Sequence, residues 1–291
     1  MQNFSKIDLY EKRDFGEKIN ATFAFIRQNL VPLGKCLLFI AGPLLVIVGI
    51  INGMLPTLIQ SGTTTGFIGG TALNGVFSLF GGALVIAVVH VYLERYMQQD
   101  GAPQEVADIW EGVKPVLLKT ILAIIVTGLV VVLGFMFLII PGFILLAALS
   151  LIFAVMTQEK LSVGDAFSRC FRLVSGNYLS TLLLIVVMII LQTMLGTIIG
   201  LPALLMMGTD SFFTASGEMM MGDKSLLYKV GYILAQVLNT LGNQLLSAIT
   251  LVAIAFQYGN LVEKKESAGL MQDIDAIGNT NQSATDPDET F

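Results

Sequence analysis

Charge is scarce in this chain. Only 13% of its 291 residues are Asp, Glu, Lys or Arg, about half the share of a soluble domain. Histidine occurs once, as His90, and cysteine twice, as Cys36 and Cys170. One histidine and two distant cysteines do not assemble a zinc-type centre, so no metal or cofactor is expected. The G-x-S-x-G, H-E-x-x-H and G-x-x-x-x-G-K-[ST] patterns are all missing, which leaves no constellation for nucleophilic, metal-assisted or phosphate-loop chemistry. The chain reads as not an enzyme. A basic footprint is missing as well. The net charge is −5, and a nucleic-acid partner is not expected. The cysteines are expected near the cytoplasmic face, reduced and unpaired.

Apolar residues make up 55% of the chain, and they come in blocks. A bilayer core of ~30 Å takes ~20 helical residues to cross. Blocks of about that length lie at 36–59, 67–91, 116–140, 142–157, 178–207 and 226–259. The fold class expected is an all-α polytopic membrane bundle of six transmembrane helices with cytoplasmic amphipathic interfacial helices. Residues 1–35 form a charged leader with an amphipathic helix, and no cleavable signal peptide is evident in them. Residues 36–260 form the membrane domain, in hairpins 36–91, 116–157 and 178–259. Residues 261–291 form an acidic, disordered tail. Within the second hairpin, "IIPGF" (139–143) reads as a tight Pro-Gly turn. The outer loop around 206–225, rich in methionine, reads as a flexible flap.

Lysine and arginine fall almost entirely on one side of this threading. With both termini inside, segments 1–35, 94–119, 158–177 and 260–291 hold 14 of the 16, leaving Lys224 and Lys229 outside. Positive residues favour the cytoplasmic face, so the expected topology is N-in and C-in.

Three segments on that face have helical amphipathicity. In 162–177, Phe167, Cys170, Phe171 and Val174 make one apolar stripe, with Arg169 and Arg172 off it. Ser162 and Asp165 resemble a capping pair, and Gly176-Asn177 is a stop. Before the first span, Phe15, Ile19, Phe23, Ile26 and Leu30 share a face. Before the second hairpin, Val106, Ile109, Trp110 and Val113 do. Such helices suit the membrane interface. Phe167, Arg169, Phe171, Arg172 and Trp110 are therefore the candidate contacts for membrane lipid, a protein partner or a second copy of the chain. The unit of amphipathic helix plus two spans recurs three times.

Two stripes lie inside the spans. Gln236, Asn239, Asn243 and Ser247 recur on one face of the last span and are candidates for a polar path or for hydrogen bonds between helices. Gly66, Gly70, Asn74, Ser78 and Gly82 make a small-residue face expected to pack closely. His90 reads as an interfacial anchor.

The run 141–181 carries Pro141-Gly142, an apolar span, Glu159-Lys160, and Ala166 to Asn177 with Arg172-Leu173-Val174 before Gly176-Asn177. In this it resembles uncharacterised bacterial multi-spanning membrane proteins similar to the membrane domain of glycerophosphodiester phosphodiesterases. The resemblance implies a bacterial cytoplasmic membrane. It implies no catalytic residue here, since the phosphodiesterase barrel has no counterpart. The function expected is organisation of lipid or a partner at the cytoplasmic face, and the alternative is a small transporter or flippase for a neutral or lipid substrate.

Overall fold

The computed structural model describes residues 6–60, 64–215 and 225–266, with side chains for 6–56, 66, 68–207 and 225–266. Among the described residues the chain forms helices and no strand. In order these are α1 Phe15–Ile40, α2 Gly42–Gln60, α3 Thr64–Gln98, α4 Val106–Phe137, α5 Ile139–Leu149, α6 Ile152–Gln158, α7 Val163–Val174, α8 Tyr178–Ala215 and α9 Leu226–Glu266. Among the described residues, six stretches are long and apolar enough to cross a membrane: Phe15–Ile40, Ile68–Gln98, Val106–Phe137, Ile139–Gln158, Tyr178–Met207 and Leu226–Glu266. The architecture is an all-α polytopic bundle.

Its boundaries differ from the sequence reading in three places. The leader helix does not stop before a span at Cys36. It runs to Ile40 and resumes as α2 after a one-residue break at Ala41, so the first helix of crossing length is Phe15–Ile40 and not 36–59, where only the shorter apolar helix Gly42–Pro56 remains. Pro43 has no N–H to return to Phe39, and its ring crowds that carbonyl, so the break falls there. The second correction concerns Pro141-Gly142, which is not the turn. The chain reverses at Leu138, extended at φ −155° and ψ 138°, and Pro141 and Gly142 sit within the first turn of α5, where a missing N–H costs nothing. Gly142 is needed there because a Cβ would lie 2.5 Å from Phe135, the ring stacked edge-on against Phe143 at 5.1 Å. Third, α9 continues through 261–266, which the sequence assigned to the tail. Leu261 and Val262 are buried, and Lys264 and Lys265 suit the negative end of the helix. Residues 267–291 and most of the methionine-rich loop lie outside the described residues.

One member of the small-residue face of α3, Gly82, also does not pack as expected. A Cβ placed on Gly82 would meet nothing within 4 Å. Close approach occurs on α2 instead. There Gly49 and Gly53 sit against the α9 backbone, leaving 2.6 Å from a Cβ on Gly49 to Val237 Cα and 2.7 Å from one on Gly53 to Ile233 Cα.

The core is densest at the end of the bundle where α1 begins and α9 ends. Phe25 stands edge-on to Tyr92, Tyr96 and Phe256. An extended strap before α1 closes this end. Leu9 is buried, Ile7 N donates to Tyr96 Oη at 3.2 Å, and Arg13 N donates to Asn260 Oδ1 at 2.9 Å. The strap lies directly on Gly259, where a Cβ would come within 2.1 Å of the Leu9 carbonyl oxygen. Gly259→Ala should therefore lift the strap. Limited proteolysis should cut near residues 6–12 several-fold faster, while the helical circular dichroism stays unchanged. Equal protection in the variant would show that the strap has room to shift.

α1 packs on the bundle through a face that adjoins its apolar stripe, with Ile19 and Ile26 of the stripe half-buried at the border. Lys18, Thr22, Phe25, Asn29, Leu33 and Cys36 face the bundle, while Phe23 and Leu30 are exposed. In lipid an apolar stripe gains nothing by turning inward, whereas polar groups need protein partners. Those partners are present: Tyr92 Oη donates to Asn29 Oδ1 at 2.8 Å, and Lys18 Nζ donates to Gln257 Oε1 at 2.8 Å.

Candidate functional site: a pinned amphipathic helix and a polar groove

α7 begins and ends as its residues dictate. Ser162 accepts from Asp165 N and donates to Asp165 Oδ2 at 2.6 Å. Gly176 stops the helix at φ +77°, a left-handed conformation open to glycine. Unlike the amphipathic turns that open α1 and α4, which run unbroken into long apolar helices, α7 is a separate element. The expected recurrence of one unit three times therefore does not hold in detail.

The inward face of α7 carries Ala166, Arg169, Cys170, Leu173 and Val174. Arg169 thus differs from the sequence reading. It does not stand out toward lipid but is buried and paired. Its Nε donates to Glu159 Oε1 and Oε2 at 2.9 and 2.8 Å. Its Nη2 donates to Glu266 Oε2 at 2.8 Å, and its Nη1 to Glu266 Oε1. Tyr258 Oη donates to the same Glu159 carboxylate at 3.0 Å. Arginine alone offers a planar fork with five donors, so one side chain ties the end of α6 and the end of α9 to α7. The hydrogen bonds to Glu266, followed by those to Glu159, raise the guanidinium pKa against desolvation, which lowers it. Beside it, burial pushes the Cys170 thiol up to about 12, leaving a protected and unreactive group. Lys265 Nζ reaches back to the Ser175 carbonyl at 2.9 Å and to the Arg172 carbonyl, capping α7 from α9.

Of the other contact candidates, Arg172 is exposed, and Phe167 and Phe171 are half-buried with ring centroids 6.4 Å apart. Trp110 is 39% exposed on α4, with Lys114 Nζ 5.7 Å from its ring centroid. Glu159 and Glu266 are the residues that the sequence reading missed. They lie 107 positions apart, and no spacing rule pairs them.

The span-six stripe has a definite place. Gln236, Asn239 and Asn243 line a groove of about 390 Å³ between α9 and α8, facing Gln192, Thr193 and Thr197. The amides bond mostly along α9: Gln236 Nε2 to Tyr232 Oη at 2.8 Å and Asn243 Nδ2 to Asn239 Oδ1 at 2.7 Å. Across the interface, Asn243 and Asn239 set their oxygens over Gly196 and Gly200, so close that a Cβ there would lie 2.2 and 2.9 Å away. Between the two helices, Thr250 Oγ1 donates to Gln192 Oε1 at 2.8 Å. His90 is buried rather than interfacial. Its Nδ1 lies 2.9 Å from the Ile86 carbonyl oxygen, and its Nε2 has no hydrogen-bond partner. It borders a cavity of about 110 Å³ with Thr120, Lys119 and Lys160. Among the described residues there is no group of three or more His, Cys, Asp or Glu placed to hold a metal.

A bundle with six apolar helices of membrane-crossing length is a multi-pass membrane protein. Residues 106–261, more than half of the chain, match the model of a family described as a domain of unknown function, DUF7847, and the chain belongs to that family. The match takes in Glu159, Arg169 and the α8–α9 groove but ends before Glu266. No curated protein and no solved structure matches the chain.

Proposed function

We propose that this protein is a non-enzymatic component of a bacterial cytoplasmic membrane, with both termini inside, that organises lipid at the cytoplasmic face. A bound protein partner or a second copy would use the same surface. The observation that carries this reading is the mounting of α7. A short amphipathic helix is held by Arg169, with Arg172 exposed, Phe171 half-exposed, and Phe167 at its flank packed against the core. Trp110 with Lys114 and Phe23 with Arg27 add exposed aromatic and basic residues on α4 and α1. Aromatic and cationic side chains of this kind anchor at headgroup level. The orientation rests on the 14 to 2 division of lysine and arginine. Reporter fusions after Gly101 and Gly164 are expected to read inside, and one after Leu138 outside. A cytoplasmic reading at Leu138 would overturn the threading.

A second reading, a transporter or flippase for a neutral or lipid substrate, has one observation in its favour: the α8–α9 groove keeps amide and hydroxyl groups along a helix face at membrane depth. One experiment separates the two. The full-length protein, its Phe171→Glu/Arg172→Gln variant and its Asn239→Leu/Asn243→Leu variant are extracted in native-lipid nanodiscs, and the co-isolated lipid is quantified. The first variant should lose several-fold of its enriched anionic lipid, and the second should keep it. Loss confined to the groove variant, at unchanged melting temperature, would favour the transporter instead.

A further inference from the structure

We infer that the cradle where the starts of α1 and α8 meet the end of α9 is a binding site for a phosphate group. It is separate from the outward face of α7, so the two stand or fall independently. The cavity holds about 370 Å³ and is lined by Lys12, Arg13, Lys18 and Lys264, with Asn177 and Ser180 on the α8 side. Asp14 is the one carboxylate in the lining, and its Oδ1 already accepts from Glu17 N as the α1 cap. The lining thus carries four cations, of which Arg13 is paired with Glu11, and one carboxylate.

The state of Lys18 is the telling feature. It is 3% exposed, and its ammonium meets Gln257 Oε1 at 2.8 Å and Ser180 Oγ at 3.4 Å, both neutral. Among the described residues it forms no ion pair. A buried charge is costly unless it is paired, and here Lys12, Arg13 and Lys264 outnumber Asp14, which makes no ion pair with Lys18. Lys264 Nζ likewise rests on a neutral acceptor, Asn177 Oδ1, at 2.9 Å. Arg13 spends Nη2 on Asp8 O and Glu11. The first-turn N–H groups of α8 add the positive end of a helix to the same space. An anion with several acceptor oxygens completes this arrangement, and phosphate is the common anion at a membrane surface that offers them. The group can come from a phospholipid headgroup or from free phosphate, and both meet the same donors.

The test uses full-length protein and the Lys12→Gln/Lys264→Gln variant, whose two changes are at exposed positions. In neutral detergent the melting temperature is followed against inorganic phosphate, with chloride at equal ionic strength as control. In parallel, retention of phosphatidic acid is measured by native mass spectrometry against phosphatidylcholine. Each lysine at a headgroup contributes enough that losing two should weaken binding roughly 30-fold. Lys18→Met serves as a second probe. It should raise the melting temperature of the ligand-free protein and abolish the response to ligand. Selective retention of phosphatidic acid without a phosphate effect assigns the site to a lipid. A phosphate effect without lipid retention assigns it to the free anion. Binding of neither, an equal response to chloride, or retention unchanged in both variants would overturn the proposal.

Discussion

Gly49→Leu should break the bundle. A Cβ at this position already comes within 2.6 Å of Val237 Cα, a backbone atom of α9 that no rotamer change can move. A leucine there forces α2 and α9 apart along their whole crossing. Overpacking an interior against side chains costs ~1–3 kcal/mol, and a clash with backbone should sit at or above the top of that range. Gly53→Leu, facing Ile233 Cα at 2.7 Å, should do the same. The expected readout is loss of the monodisperse peak on size exclusion in detergent, with a melting temperature far below wild type. Gly82→Leu, which enters open space, should leave both unchanged. If Gly82→Leu proves the more damaging of the two, the packing face lies on α3 and the assigned crossing is wrong.

The second large effect belongs to Arg169. Arg169→Met keeps the length of the side chain but strands two carboxylates against each other and against an apolar wall. Breaking a buried ion pair by removing one partner costs ~3–5 kcal/mol. Glu266 is partly exposed, its side chain 43% accessible, so the lower end, about 3 kcal/mol, is expected here. The change should be local first, because α7 is held to α6 and α9 largely by this fork. Cys170 supplies the readout. Its thiol is wholly buried and should react slowly with a maleimide in a Cys36→Ser background. In Arg169→Met the rate should rise by more than tenfold while the long helices persist. Adding Glu159→Gln removes one of the stranded charges and should recover part of the protection. An unchanged labelling rate would show that α7 is held by its apolar contacts alone.

The sequence and the structure agree where the physics is local or set by the solvent. Ser162 with Asp165 and Gly176 predict the limits of α7, and they do so because a cap satisfies its own first turn without help from distant residues. The span expected from 178 starts where the apolar helix α8 starts, at Tyr178, for a similar reason, since length and hydropathy decide whether a helix crosses lipid. The polar stripe of Gln236, Asn239 and Asn243 was also legible, because a periodic run of amides shows on one helix alone. Its partner surface, glycines Gly196 and Gly200, lies on another helix, and only the packing of α8 on α9 joins the two.

The differences have a common cause. For α1 the sequence showed an apolar stripe suited to the membrane interface, and it did not show that the adjoining face would bury Lys18, Thr22 and Asn29 against the bundle. Amphipathicity identifies two faces but does not say which one meets lipid and which meets protein. That choice depends on whether Gln257 and Tyr92 stand opposite. Arg169 was read as a surface charge for the same reason. On its own helix it is a cation beside an apolar stripe, and only the return of α9 brings Glu266 to it. The sequence by itself therefore determined a polytopic all-helical membrane protein, the ends of its short helix and five of the six apolar helices of crossing length, all of which follow from chain-local energetics in lipid. The tertiary structure alone decided which face of each helix is inside, which glycines carry the close contacts, and that Lys12, Lys18 and Lys264 gather in one cradle, because each of these depends on a neighbour up to 250 residues away in the chain.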